Sequence, residues 1–281
     1  MRNITKYEDD YLQEDFEIYQ VEYRRKKILE CIDDICPDAI LEIGCGMHPL
    51  FEFIPEESYK EYTLIEPGDQ FYANAVKLGT DSKKIHIIHD FFGKDAIERV
   101  QEHYLQQINK IGGGTRLIVC AGLLHEVENP DELLEAIGTI SDENTVVLLN
   151  VPNANSFHRV LAQRMNIIKS TFEMTERNLI FQQNRVYDLR SFSDIIERNG
   201  FQILKRETAF VKPFTHAQML SMLKNNIIDT QVLEGLYAMS ADFPEYGSEI
   251  FVECVKTQSV GERKKHEGYH SWSGNCNKKN Y

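Results

Sequence analysis

The sequence lacks any long apolar run, and no segment approaches the roughly 20 consecutive apolar residues that a membrane-spanning helix needs. The first residues, from Met1 to Asp10, contain no apolar signal core either. Positive charge is scarce, because 31 lysines and arginines stand against 44 aspartates and glutamates and give a net charge of −13. We therefore expect a cytoplasmic protein with no membrane span, and one without the basic face of most nucleic-acid-binding proteins.

Cysteine is present but lacks the spacing of a metal site. No CxxC pair and no neighbouring pair of histidines accompanies the six cysteines, which are Cys31, Cys36, Cys45, Cys120, Cys254 and Cys276. Scattered thiols of this kind are typical of reduced and mostly buried side chains. The sequence therefore predicts no metal site.

Short apolar runs alternate with helical patterns along most of the chain. The runs begin at Ala39, Tyr62, Ile85, Leu117, Thr145, Phe201 and Ile250. Helical patterns lie between them near 69–79, 94–109 and 130–141. Nearly continuous apolar strands that alternate with helices indicate a sheet covered on both faces. We predict an α/β fold with a doubly wound, mostly parallel, seven-stranded sheet.

The remaining segments differ from this alternation. Residues 1–36 are helical in character, and the run Arg24-Arg25-Lys26-Lys27 within them is either a solvated helix face or a basic rim over a ligand site. Two segments, about 153–187, which is polar, and 210–247, have mostly helical patterns and interrupt the sheet domain of residues 37–257. The polar tail 258–281 has the composition of a disordered segment.

Candidate ligand contacts come at the ends of the strands, where doubly wound sheets bind their ligands. The first strand breaks into Gly44-Cys45-Gly46, a turn at which the backbone can approach a ligand. About 20 residues later, Glu66 stands where a carboxylate accepts the hydroxyls of a ribose. Asp90-Phe91 could accept from an adenine amino group and pack on its ring. The alternatives are a helix-terminal acid for Glu66 and an ordinary turn for Asp90-Phe91.

Two adenosine cofactors fit this layout, a dinucleotide and S-adenosylmethionine. The dinucleotide fingerprint needs a third glycine at the position that Pro49 occupies. Glu42, two residues before Gly44, would repel a pyrophosphate but would attract an ammonium or sulfonium group. Glu42 could alternatively be a carboxylate held by backbone amides.

Leu41-Glu-Ile-Gly-Cys-Gly46 resembles motif I of the class I S-adenosylmethionine-dependent methyltransferases. Glu66 and Asp90-Phe91 match the ribose and adenine positions of that family, and Leu123 to Pro130 looks like the segment at the methionine end. The resemblance implies a Rossmann-like fold with an N-terminal capping helix and a helical acceptor-binding insertion. It also implies a set of cofactor contacts: Glu42, Gly44, Cys45, Gly46, Glu66, Pro67, Asp90, Phe91, Ala121, Gly122 and, from the capping helix, Tyr11.

One departure from the family pattern concerns the turn itself. Many members have a third glycine where this chain has His48, followed by Pro49. We therefore expect a less tightly wound turn after Gly46. His48 would either touch the ligand or face the N-terminal helix.

Three further stretches, from Asn150 to His158, Thr175 to Asn178 and Arg185 to Tyr187, resemble a bacterial subgroup. That subgroup is associated with surface-polysaccharide and nucleotide-sugar modification. The resemblance implies methyl transfer to an oxygen of a small sugar-like acceptor, which can carry a phosphate. The candidate acceptor contacts are His158 and Arg159, just past the fifth strand, and Arg185 and Tyr187 before the sixth. The arginines suit a phosphate or carboxylate, or are alternatively side chains of surface helices.

A hydroxyl acceptor must lose its proton, and histidine is suited to this because it titrates near neutral pH. His125 is the first candidate base, because it leaves the fourth strand at the methionine end, and His216 is the second. The alternative for His125 is a loop histidine that packs under the cofactor. Glu126 would orient His125 or cap the next helix.

Three other functions stay open at this point. The first is an N- or carboxyl-methyltransferase of another small molecule, which needs no strong base. The second is a protein that binds the cofactor without catalysis. The third is a dinucleotide oxidoreductase, which Glu42 and Pro49 disfavour.

Overall fold

The computed structural model of the protein describes residues 4, 8, 15–93, 97–111 and 113–257. Tyr11 and the tail 258–281, about which the sequence makes predictions, lie outside these described residues. Among the helices of the described ranges, none has the length and apolar character that a bilayer crossing requires.

Seven strands form one sheet in the order β3-β2-β1-β4-β5-β7-β6. They are β1 (Ala39–Ile43), β2 (Glu61–Ile65), β3 (Ile85–Ile88), β4 (Arg116–Ala121), β5 (Thr145–Pro152), β6 (Phe201–Ala209) and β7 (Glu249–Lys256). β1 to β5 pair in parallel, whereas β7 runs antiparallel to both β5 and β6. The predicted seven-stranded α/β sheet is confirmed, and it is a mixed sheet because of β7.

Nine helices are described, and those between the first five strands lie close to the expected segments. They are α1 (Glu17–Ile35), α2 (Asp69–Gly79), α3 (Ile97–Lys110), α4 (Pro130–Ile140), α5 (Phe157–Arg164), α6 (Glu176–Ile180), α7 (Leu189–Arg198), α8 (His216–Lys224) and α9 (Thr230–Ala238). α4 begins as its sequence predicts, with Asn129 as N-cap and Pro130 in the first turn.

Alternate residues of the central strands face opposite sides of the sheet, and each side is covered. Leu41 and Ile43 pack in one apolar cluster with α3, α4 and α7. Ile40 packs in the other cluster with α1 and α2. Burial on both faces explains why the central strands read as continuous apolar runs.

The two interrupting segments are less helical than their sequences suggest. In 153–187 only the short helices α5 and α6 form, and Asn166 and Gln182 adopt left-handed backbone conformations that end helical turns. In 210–247, α8 and α9 are separated by a turn at Asn226, which is also left-handed. The segment 210–247 packs on the start of α1 through Phe210, Met219 and Leu233, and the left-handed residues between helical turns limit how far each helix extends.

β5 and β6 extend past their apolar runs, which end at Leu149 and Leu204. The reason is β7, which lies between them and pairs with both strands along nearly its whole length. Pro152 and Ala209 both have Glu249 as their partner in these ladders. The antiparallel pairing, rather than the apolar pattern, therefore sets where these strands end.

Candidate functional site

The glycine turn follows β1 directly. Gly44 and Gly46 have φ angles of +75° and +58°, in the left-handed region that favours glycine. A Cβ atom on Gly44 would meet no neighbour, so backbone conformation rather than space requires this glycine. After His48, Pro49 leads into a short 3₁₀ helix, Leu50–Glu52, which accounts for the missing third glycine.

Glu66 joins the ends of β1 and β2. Its Oε2 accepts a hydrogen bond from the Cys45 amide at 2.9 Å, and its Oε1 accepts one from the Gly68 amide at 2.8 Å. Burial raises the pKa of this carboxyl, while the amide hydrogen bonds oppose the rise. Oε2 also accepts a weak hydrogen bond from the Cys45 thiol at 3.6 Å, which a ribose hydroxyl can replace, and Oε1 has a second lone pair, so both oxygens can accept from a ribose.

Glu42 is buried in β1 beside the turn. Its carboxylate accepts from the Leu50 amide at 3.1 Å and from the Tyr62 hydroxyl at 2.5 Å. Burial raises the pKa of Glu42 to about 8, although both hydrogen bonds act in the opposite direction. Glu42 is therefore held by a backbone amide, which is the alternative to a contact with the cofactor. It also lines the cavity described next.

A cavity of about 860 Å³ opens at the carboxyl ends of β1, β2 and β4. Its size is within the range of sites that bind small molecules. The cavity is lined by most of the residues assigned to the cofactor from sequence, namely Glu42, Gly44, Cys45, Gly46, Glu66, Pro67, Phe91, Ala121 and Gly122. His48 also lines the cavity, and its Nδ1 lies 3.1 Å from Oε2 of Glu52.

Asp90 differs from the sequence-based assignment. It is not among the residues that line the cavity, and its carboxylate binds Arg99 and accepts from the Phe91 amide at 2.8 Å. Phe91 and Phe92 do line the cavity and provide an apolar wall. An acceptor for an adenine amino group must therefore come from a residue other than Asp90.

The basic run on α1 divides into two pairs. Arg24 and Arg25 line the cavity, and the guanidinium of Arg25 lies 4.0 Å from the ring centre of Phe53. Lys26 and Lys27 instead form ion pairs with glutamates outside the cavity lining. Arg24 and Arg25 therefore form a basic rim over the cavity. Lys26 and Lys27 belong instead to the helix face outside it.

At the end of β4, the structure places Glu126 rather than His125 at the cavity. The His125 side chain is buried, and its Nε2 lies 3.7 Å from Glu126 Oε1. A turn closed by the Glu126 amide on the Leu123 carbonyl, at 2.9 Å, sets which side chain faces inwards. The expectation that His125 faces the methyl group is therefore corrected, because Glu126 occupies the position at the cavity.

Three residues expected to bind the acceptor have other partners and do not line the cavity. Arg159 donates to the carbonyl of Thr171 at 2.8 Å, so it braces the loop after α5. Arg185 donates to the carbonyl of Glu128 at 2.7 Å. Tyr187 is buried in the core. Local backbone bracing and packing explain all three side chains.

His158 and His216 also lie outside the cavity lining, but they share one buried region with Lys212. Burial and the charge of Lys212 hold the pKa of both histidines well below the usual range. His216 is therefore not placed to act as a base in the cavity. Sequence reasoning missed Lys212. The one feature of the sequence that sets this lysine apart is its position directly after the apolar run that ends at Val211 and directly before Pro213.

One group among the described residues has the spacing of metal ligands, formed by Cys31, Glu207 and Glu253. Glu207 already forms ion pairs with Lys27 at 3.0 Å and Lys205 at 2.8 Å. These cations neutralise the carboxylate that a metal ion would need. The group therefore gives no support to a metal centre.

A model of the methyltransferase domain matches residues 18–206, which is more than half of the chain. The chain belongs to this family. It is a class I methyltransferase that uses S-adenosylmethionine as its cofactor. This assignment removes the dinucleotide oxidoreductase and the non-catalytic binding protein from the alternatives.

Two solved methyltransferase structures are similar to this one. One is the plantazolicin methyltransferase BamL in complex with a triazolic desmethylPZN analog and SAH, with 15% identity, a TM-score of 0.52, and coverage of 86% of this chain and 88% of that chain. The other is the plantazolicin methyltransferase BpumL in complex with SAH, with 17% identity, a TM-score of 0.51 and the same coverage. At these identities the likeness shows the fold. No curated protein sequence matches the chain.

The cavity of this methyltransferase fits its cofactor in charge and in hydrogen-bonding groups. Glu66 can accept from a ribose, and an ammonium group beside Glu42 would favour the ionised form of that carboxyl, whose pKa burial raises to about 8. The backbone around Gly44 and Gly46 lets the cofactor approach closely. These residues would bind and orient S-adenosylmethionine.

Replacing Glu66 with alanine tests the ribose assignment. Glu66→Ala should weaken binding of S-adenosylhomocysteine about tenfold or more, because both charged hydrogen bonds to the ribose are lost. Isothermal titration calorimetry measures the affinity. Glu98→Ala, at an exposed position on α3, is the control and should bind normally. Unchanged affinity of Glu66→Ala would contradict the assignment.

Glu42 predicts a pH dependence of stability. A carboxyl whose pKa is higher in the folded than in the unfolded protein stabilises the fold at low pH, and this contribution is lost as pH rises to the folded value, which is about 8. From about pH 5 to about pH 9, the wild type should lose up to ~4 kcal/mol more unfolding free energy than Glu42→Gln. Urea unfolding without cofactor measures this difference. Parallel pH profiles of the two proteins would show that Glu42 ionises normally.

Proposed function

We propose that this methyltransferase transfers a methyl group to an oxygen of a small polar acceptor, namely a sugar, nucleotide sugar or surface-polysaccharide precursor. The observation that carries the proposal is the polar wall of the cavity beyond Gly122. There Glu126, Gln183 and Asn184 line the space next to the expected methionine end. The carboxylate of Glu126 accepts from hydroxyls, and the amide groups both accept from and donate to them, which suits a sugar.

The cofactor would supply, when bound, a methyl group on a positively charged sulfur. An acceptor oxygen in line with the carbon–sulfur bond would take the methyl group, and the sulfur would leave with the electron pair. The chain supplies positioning and a proton acceptor. Glu66 and the glycine turn fix the adenosine part, and the cavity continues past Gly122 to the acceptor. The hydroxyl proton passes to the carboxylate of Glu126 as the new carbon–oxygen bond forms.

His125 and the two interrupting segments have supporting roles in this proposal. His125 packs beside Glu126, with its Nε2 3.7 Å from the carboxylate, and would act on that carboxylate through charge rather than through a hydrogen bond. Asn184, from segment 153–187, donates from its side chain to the Glu126 carbonyl at 2.6 Å. Segment 210–247 supplies the buried region around Lys212. These contacts support an acceptor-binding role for both segments.

A second function is favoured by one observation, the acidity of the cavity. More carboxylates than guanidinium groups line it: Glu42, Glu66, Glu126, Glu128 and Glu132 against Arg24 and Arg25. Such a lining also suits a cationic amine. N-methylation of a small amine is therefore the alternative to O-methylation.

An acceptor screen separates the two functions. We expect the protein, incubated with S-adenosylmethionine, to release S-adenosylhomocysteine with sugars, nucleotide sugars or sugar acids. Mass spectrometry and NMR should then place the new methyl group on oxygen. A product methylated on nitrogen, with no turnover of any sugar, would reject the proposal in favour of the amine alternative.

Replacing Glu126 tests its role as the base. Glu126→Gln should lower kcat by ~10²–10⁴ and leave the affinity for S-adenosylhomocysteine nearly unchanged, because only the proton acceptor is lost. Glu132→Gln is the matched control, since Glu132 also lines the cavity but is exposed. His125→Ala should have a smaller effect than Glu126→Gln. The assignment fails if Glu126→Gln retains more than about a tenth of kcat.

A further inference from the structure

Three basic side chains meet beside the cavity, on the far side of Arg24. Lys212 follows β6, His158 lies in α5 and His216 begins α8. We call these three residues the basic cluster. Their charges act on one another, since Lys212 lowers the pKa of both histidines. None of the three lines the cavity, and the methyl-transfer chemistry proposed above does not use them.

Lys212 is almost completely buried, with 3% of its surface exposed. Within the described part of the chain, no carboxylate lies within ion-pair distance of the Lys212 ammonium, and the ammonium donates no hydrogen bond. The ring centre of Phe16 lies 5.8 Å from Nζ. Burial lowers the pKa of Lys212 to about 7, while Glu17, Glu249 and Asp15 oppose the shift and Arg177 adds to it.

Buried polar atoms without hydrogen-bond partners occur in the basic cluster and on Gln20 and Asn150, both of which donate to Glu249, whose charge also acts on Lys212. They include Nδ1 of both histidines, Oε1 of Gln20, Oδ1 of Asn150 and Oγ of Ser156. Buried polar groups in folded proteins are nearly always paired. Five such atoms, contributed by α1, the end of β5, α5 and α8, therefore point to a site for a polar ligand.

The carboxylates nearby are already matched by other groups. Glu249 accepts from Arg24 at 2.8 Å, from Gln20 at 3.2 Å and from Asn150 at 2.9 Å. Glu17 forms ion pairs with Arg24 and with Arg177, both at 3.2 Å. Glu17 Oε2 is also 3.7 Å from His216 Nδ1, which is beyond hydrogen-bond range.

The charge that is unmatched in this region therefore belongs to the basic cluster. A negatively charged group is the ligand that would supply the missing acceptors to Lys212 and the histidines. Hydroxyl groups on the same molecule would donate to Gln20 and Asn150, whose unpartnered atoms are acceptors.

Arg24 connects this region to the cavity. It lines the cavity, and its Nη1 would lie 3.5 Å from a Cβ atom on Gly122. Its Nε and Nη2 donate to Glu249 at the opposite side. Arg24 therefore lies between the cavity and Glu249, and an acceptor that contacts both Glu126 and the basic cluster would have to pass it.

We infer that the basic cluster is a subsite for an anionic group, a carboxylate or phosphate, on a hydroxylated acceptor. The acceptor class is then a sugar acid or a sugar phosphate. This inference rests on the proposed function for the identity of the acceptor. The anion subsite itself depends only on Lys212, His158 and His216.

The subsite is tested first with inorganic phosphate, added to the full chain saturated with S-adenosylhomocysteine. Calorimetry in two buffers of different ionisation enthalpy should show binding with net proton uptake near neutral pH, because an anion raises the pKa of the lysine and histidines. Lys212→Met should weaken phosphate binding about tenfold or more. Lys224→Met, at an exposed position of α8, should not change it. The affinity for S-adenosylhomocysteine reports whether each variant is folded.

The second arm compares turnover of glucuronate and glucose 6-phosphate with turnover of glucose. The inference expects kcat/KM at least about tenfold higher for the anionic sugars, and loss of this preference in Lys212→Met. The subsite would be overturned if phosphate bound without proton uptake, or if Lys212→Met bound phosphate as the wild type does. In that case, turnover of glucose would still leave the proposed function standing. Conversely, phosphate binding that depends on Lys212, with no sugar methylated, would support the subsite and reject the sugar acceptor.

Discussion

The carboxylate of Glu66 joins the ends of β1 and β2, and the shape of the cofactor cavity depends on this link. The Cys45 amide comes from the glycine turn and the Gly68 amide from the start of α2, so one buried side chain fixes both loops. Glu42 fixes the other end of the turn through the Leu50 amide. Two buried carboxylates thus hold in place the backbone that, in our account, binds the methyl donor.

Charge is divided across Arg24. On the cavity side, the carboxyls of Glu42 and Glu66 would be favoured in their ionised form by a cofactor that is cationic at its ammonium and sulfur. On the other side, Lys212 is the group that can carry the opposite charge, because burial and Lys212 itself disfavour protonation of the two histidines. In our proposals this division keeps the donor and the acceptor in separate places and brings the reacting atoms together near Gly122 and Glu126.

The sequence predicts those parts of the molecule that depend on short-range pattern. The glycine turn, Glu42 and Glu66 follow from their positions at strand ends, because parallel strands bring those ends together. The orientation of His125 and Glu126 could not be predicted, since a turn decides which of two adjacent side chains faces inwards. Lys212 could not be predicted either, because its burial depends on α1 packing against the chain after β6, far apart in sequence.

A crystal structure of the protein with S-adenosylhomocysteine tests the central claim most directly. We predict that both ribose hydroxyls lie within hydrogen-bond distance of Glu66, and that the sulfur lies beside Gly122 with its open side towards Glu126. A sulfur atom that faces away from Glu126, or a ribose that Glu66 does not contact, would contradict the account.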